Sequence, residues 1–141
     1  MRTTTTIANW IIRVTAIVQL TLGALFWTGH AYTYVPVHVV VGSALVLALW
    51  TIAVVALVAR VRRGLAAFEL VWGLALAGFG MRQAHYLIGP MHWIIRVVHL
   101  LMALSAMAIA GVLAKGVLGA VPQRDRPEEI ARGSAPVRRA S

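Results

Sequence analysis

The sequence predicts an all-α integral membrane protein, a four-helix bundle with both termini in the cytoplasm. Three observations predict it. Hydrophobic residues make up 60% of the 141 residues and charged ones only 12%, too apolar a balance for a soluble domain of this size. The apolar residues fall into four long blocks, and such blocks mean membrane spans. Most of the Lys and Arg lie in the short hydrophilic segments between and after those blocks, the usual topology signal.

The first span runs from about 7 to 27 and the second from about 37 to 59. The third covers about 65 to 87 and the fourth about 91 to 113. Each holds roughly 20 residues, enough at about 1.5 Å per residue to cross roughly 30 Å of hydrocarbon. A barrel needs many short alternating strands, which these unbroken runs are not. The stretch "RVRRG" (Arg60 to Gly64) separates spans two and three. Pro36 and Pro90 stand where helices begin, because a first-turn residue needs no N–H partner. Residues 1–119 thus form the membrane domain. The segment 120–141, rich in Pro, Arg and Ala without apolar period, reads as a disordered basic tail.

Arg2, Arg60, Arg62, Arg63, Lys115 and the tail arginines share one side, whereas the loops "HAYTYVP" and "YLIGPMH" carry no Lys or Arg. The positive-inside rule then gives an N-in, C-in, multi-pass protein of the cell's inner membrane. The basic start followed by "TGHA" has the outline of a cleaved signal, but the apolar run is long and contains Arg13, so it reads as a retained span. The net charge of +9 belongs to this topology signal, and nucleic acid is not an expected partner. Without cysteine, disulfides, thiolate metal sites and covalent haem attachment through Cys are excluded.

A shift of 54 residues places Tyr32 on Tyr86, Pro36 on Pro90 and His38 on His92. The pattern Y-x-x-x-P-x-H therefore occurs twice. Two parallel-repeat helical hairpins, related by an axis along the membrane normal, would produce it.

All five histidines gather toward the outer side. His92, Arg96 and His99 fall at i, i+4 and i+7, on one helix face. Arg96 lies about 7 Å below its helix start and His99 roughly 12 Å. Arg96 either snorkels outward or faces a partner in the bundle. A histidine as deep as His99 needs a partner for its ring nitrogens. His38 and Gly42, one turn apart, offer a side chain and a bare backbone patch on one face. Gln19, Gly23 and His30 share similar spacing, and Gly73, Ala77, Gly80 and Ala84 form a small-residue stripe suited to close helix approach or to a flat macrocycle. Arg13 and Glu69, at similar depth in the inner half, are candidates for an ion pair between helices one and three.

The stretches "QLTLGALFWTG", "HVVVGSALVLAL" and "GPMHWIIRVVHLLMALSA" resemble the first, second and fourth helices of one four-helix half of the heme A synthase family. The resemblance covers roughly residues 16 to 110. It implies a b-type haem between histidines of helices two and four, with His38 and His99 as the axial pair. Arg82 and Arg96 would then face the propionates, since a guanidinium fork matches a carboxylate. His38 with His92 is the alternative pair, better matched in depth. The family's glutamate three residues before the helix-two histidine is Val35 here, and the outer-loop cysteine pair and the second half are missing. Heme A synthesis is therefore not expected, and haem binding with electron transfer is.

Alternatives stay open. Met81, Met91, Met102 and Met107 near histidines also suit Cu(I), although methionine is ordinary core filler. An accessory subunit of a membrane complex, with histidines at a polar interface and no cofactor, is the competing class. The expected partners are the bilayer, a second copy or a larger membrane complex, and a quinone. No acidic pair, Gly-rich phosphate loop or Ser-His-Asp set points to a hydrolase.

Overall fold

The computed structural model describes residues 1–120; the basic tail from 121 onward lies outside the described residues. The described chain is helical with no strand among its described residues: α1 (Arg2–Trp27), α2 (Val35–Val58), α3 (Arg63–Arg82) and α4 (His92–Ala120). All four helices are long and apolar enough to cross a membrane. Short 3₁₀ turns, Tyr32–Tyr34 and Gln83–His85, stand in the α1–α2 and α3–α4 connections. Those two connections mark the histidine end of the bundle. The N-terminus, the α2–α3 turn and the end of α4 mark the arginine end.

Hydroxyls inside the helices are satisfied by their own backbone. Thr15 Oγ1 donates to the Ile11 carbonyl at 2.7 Å, Thr21 to Ile17 at 2.9 Å and Thr51 to Leu47 at 2.8 Å. Such i−4 bonds let Thr sit in an apolar helix without an orphaned donor.

α1 and α2 end in the same way. At α1, His30 N–H donates to Leu25 O (3.0 Å) and Gly29 N–H to Phe26 O (3.2 Å). At α2, Val61 N–H donates to Ala56 O (2.9 Å) and Arg60 N–H to Leu57 O (3.1 Å). Both are Schellman motifs, which require a left-handed residue after the helix. Gly29 fills that place in α1 with φ +81°, and Arg60 fills it in α2 with φ +60°.

The helices pack in chain order around a ring. α1 touches α2 and α4, α3 touches α2 and α4, and α2 also meets α4 across the middle. α1 and α3 therefore stand at opposite corners. Leu49, Ile52, Leu113 and Val117 are fully buried at the centre. Trp50 Nε1 donates to the Leu70 carbonyl at 3.1 Å, and Gly73 makes room for its indole: a Cβ there would stand 2.6 Å from Nε1. Trp72 Nε1 donates to Ser105 Oγ at 2.9 Å, tying α3 to α4. Apart from Ile95, the buried residues run from the arginine end to just past the middle. The histidine end is open by comparison.

Three expectations differ from the structure. α3 stops at Arg82 and not near 87, because the chain turns through the 3₁₀ segment there. α4 continues to Ala120, since Ala114 and Val117 extend its buried face and nothing between 113 and 120 breaks a helix. The Arg13–Glu69 pair does not form. Glu69 is fully buried with both carboxyl oxygens unpartnered, while Arg13 is exposed and lies 5.7 Å from the Trp10 ring centroid. Equal depth did not suffice, because α1 and α3 are diagonal. The Y-x-x-x-P-x-H repeat also takes two conformations. Pro36 and His38 lie inside the first turn and a half of α2, whereas Pro90 precedes α4 and His92 opens it.

Candidate functional site

Each helix buries one seam with alternating three- and four-residue steps. On α2 the buried Leu45, Leu49, Ile52 and Ala56 extend backward, by the same steps, to Gly42 and His38. On α4 the buried Ala106, Ala110, Leu113 and Val117 extend back seven residues to His99. On α3 Ala66, Glu69, Gly73 and Leu76 lead to Gly80. On α1 Thr5, Ala8 and Ile12 lead to Gln19 and then Phe26. The seams are apolar at the arginine end, Glu69 and Thr5 excepted. Toward the histidine end they turn polar, small or aromatic.

These extensions meet in pairs. The His38 ring stands edge-on to Phe26, centroids 5.3 Å apart at 65°. The His99 ring lies nearly parallel to Phe79 at 6.1 Å. It also rests on Gly80, where a Cβ would come 2.7 Å from His99 Cε1. Gln19 covers Gly42, with Nε2 only 2.5 Å from the place of a Cβ. The bare patch expected at Gly42 is thus filled by the Gln19 amide. His38 Nδ1, His99 Nδ1 and Gln19 Oε1 are all buried without a hydrogen-bond partner. Three orphaned polar atoms from three helices are costly if nothing answers them, about 1–3 kcal/mol each.

The other predicted site residues sort differently. Arg96 is half-buried on the face of α4 that carries His99. His92 is held by its own loop, its Nδ1 lying 3.1 Å from the Tyr86 carbonyl. Arg82 is exposed and, two residues beyond Gly80, sits nearly opposite it on the helix. It lines an open pocket of about 300 Å³ with His85 and Tyr86. His30 stays exposed, its Nδ1 3.2 Å from Thr28 Oγ1. His38, Gly42, His99, Arg96 and His92 therefore continue the seams, His92 with its ring turned to its own loop, whereas Arg82 lies off them.

Phe26 and Phe79 complete the setting of the two histidines, and sequence reasoning passed over both. Their signal was available: Phe26 continues the α1 seam seven residues after Gln19, and Phe79 adjoins Gly80. Among the described residues no three His, Cys, Asp or Glu side chains converge as for a metal ion. What the arrangement offers is a pair of imidazoles in an aromatic and aliphatic setting, able to donate to or coordinate a group placed between helices. The chain matches no protein-family profile, no curated protein and no solved structure.

Proposed function

We propose that the chain is a multi-pass inner-membrane protein, N-in and C-in, that binds a b-type haem through His38 and His99 in the outward half of its bundle. One observation carries this reading: two histidines on the buried seams of α2 and α4 each keep an unpartnered, buried Nδ1 at the loosely packed end. An imidazole has two nitrogens, and in a metal-ligating histidine one binds metal while the other usually donates to an acceptor. Two such histidines on facing helices fit bis-imidazole ligation, a familiar use of bundle cores. By the helix boundaries His38 is about 4.5 Å into α2, His99 about 10.5 Å into α4 and His92 at its start, so His92 still matches His38 more nearly in depth; the pairing with His99 rests on the buried seams.

Bound haem supplies one-electron iron chemistry, with a quinone as a suitable membrane redox partner. The chain's own residues do the rest. Arg96, one turn from His99, would neutralise a propionate. Phe26 and Phe79 exclude water and fix the planes of the two rings. The resemblance to one heme A synthase half supports the same histidine pair, while Val35 and the missing cysteines argue against that enzyme's reaction.

The bilayer reading has support of its own. Trp27, Tyr32, Tyr34, Tyr86 and Trp93 are exposed at the histidine end, where amphipathic rings suit a headgroup layer. The natural absence of cysteine makes topology directly measurable. Thr33→Cys should react with a membrane-impermeant maleimide in intact cells, and Arg63→Cys only after permeabilisation; the opposite labelling would overturn the orientation.

For haem, the purified full chain made with ample haem should show a Soret band. That band should vanish in His38→Ala and His99→Ala and persist in His92→Ala. Colourless wild-type protein would instead favour an accessory subunit with a polar packing layer. That second reading has one observation behind it: Gly42 and Gly80 are already covered by Gln19 and His99.

A further inference from the structure

The two Schellman motifs of this chain pose the same backbone demand and meet it with opposite residues. After α1 the left-handed position is Gly29, which adopts it at no steric cost. After α2 it is Arg60 at φ +60°, and two residues later Arg62 is again left-handed at φ +42°. Between them Val61 points inward: a Cβ on Gly116 of α4 would lie 2.6 Å from Val61 Cγ1. With Val61 pinned, Arg60, Arg62 and Arg63 are all exposed around it. Gly64 stands immediately after, in a helical place where glycine is not needed. The turn thus tolerates a conformation that disfavours side chains and keeps guanidinium groups there.

Nothing acidic among the described residues answers them. Glu69 is the only Asp or Glu in residues 1–120, and it is buried in the bundle. Arg2 and Lys115 add to the same end, and both are exposed. Exposed guanidinium forks clustered at a span end match the phosphodiester of a lipid headgroup in geometry and charge. We infer that the α2–α3 turn, Arg60 to Arg63, is a binding site for anionic phospholipid headgroups. This inference rests on the membrane reading above, and the test separates the two.

The full chain and the double variant Arg60→Gly/Arg62→Gly are reconstituted in phosphatidylcholine vesicles, with or without an equal part of phosphatidylglycerol. Flotation reports insertion, native mass spectrometry of the extracted protein reports retained lipid, and far-UV circular dichroism reports the melting midpoint. Wild type should retain phosphatidylglycerol preferentially and melt higher in its presence. The double variant should lose on the order of tenfold or more of that preference. In phosphatidylcholine alone it should melt no lower than wild type, because glycine relieves both left-handed positions. Equal phosphatidylglycerol retention by both proteins, or a lower midpoint of the variant in phosphatidylcholine, overturns the headgroup site. Inorganic phosphate reproducing the wild-type gain without lipid would also overturn it. Failure of either protein to float with any vesicle overturns the membrane reading itself.

Discussion

The seat of His99 on α3 makes a sharp prediction from one methyl group. In Gly80→Ala the new Cβ would stand 2.7 Å from His99 Cε1 and 3.5 Å from both ring nitrogens. Carbon atoms prefer about 3.5–4.0 Å, so the ring must retreat by roughly 1 Å. It cannot swing freely, because its face lies along Phe79. Overpacking of this kind costs about 1–3 kcal/mol. The replacement also gains about 0.8–1 kcal/mol of helix propensity, as any interior Gly→Ala does. Gly78→Ala, two residues away on the same helix, gains that term and meets nothing within 4 Å. The difference between the variants isolates the clash at about 1–3 kcal/mol. Graded unfolding in mixed detergent and SDS micelles, followed by far-UV circular dichroism, measures it. In haem-loaded protein the same displacement should shift the Soret maximum of Gly80→Ala and leave Gly78→Ala unchanged. If Gly80→Ala is as stable as Gly78→Ala, His99 is not seated on α3, and the site built on it falls.

Three further outcomes are expected. Glu69→Leu should stabilise the bundle by about 1–3 kcal/mol, since it removes an unpartnered buried carboxyl at similar volume; the same unfolding titration reads it, and a loss of stability would mean the carboxyl has a partner. Trp72→Phe and Ser105→Ala should each cost about 1 kcal/mol for the indole–hydroxyl bond, and a double-mutant cycle should show the pair coupled. Gly116→Ala should destabilise by about 1–3 kcal/mol through its collision with Val61, and Val61→Ala in the same chain should recover most of the loss.

The helices were legible because length and apolarity act locally: four runs of about 20 residues leave little else to form. Their ends were less so. The α3 boundary at Arg82 depends on a 3₁₀ turn with no strong sequence signal, and Val117 extended α4 by packing. At the site, the seven-residue step from His99 to Ala106 was readable as one face. What that face meets was not. The Gln19 amide over Gly42 joins α1 to α2 by azimuth, and spacing within one helix carries no azimuth between helices. The same gap explains why Arg13 and Glu69 were matched by depth and yet lie on diagonal helices. His92 copied His38 in the repeat, but Pro90 fell outside its helix where Pro36 fell inside, and the two imidazoles ended in different surroundings.

The uneven packing of the bundle has a mechanical consequence. Leu49, Ile52, Leu113 and Val117 of α2 and α4 fill the bundle from its middle toward the arginine end, so the close packing lies away from the histidine end. In that packing the two helical hairpins resemble the arms of tongs, joined at the α2–α3 turn and less tightly packed at the histidine end. If a guest is held between the tips as proposed, parting them would leave the closely packed half intact, and loading and folding would then be separable events in the life of the chain.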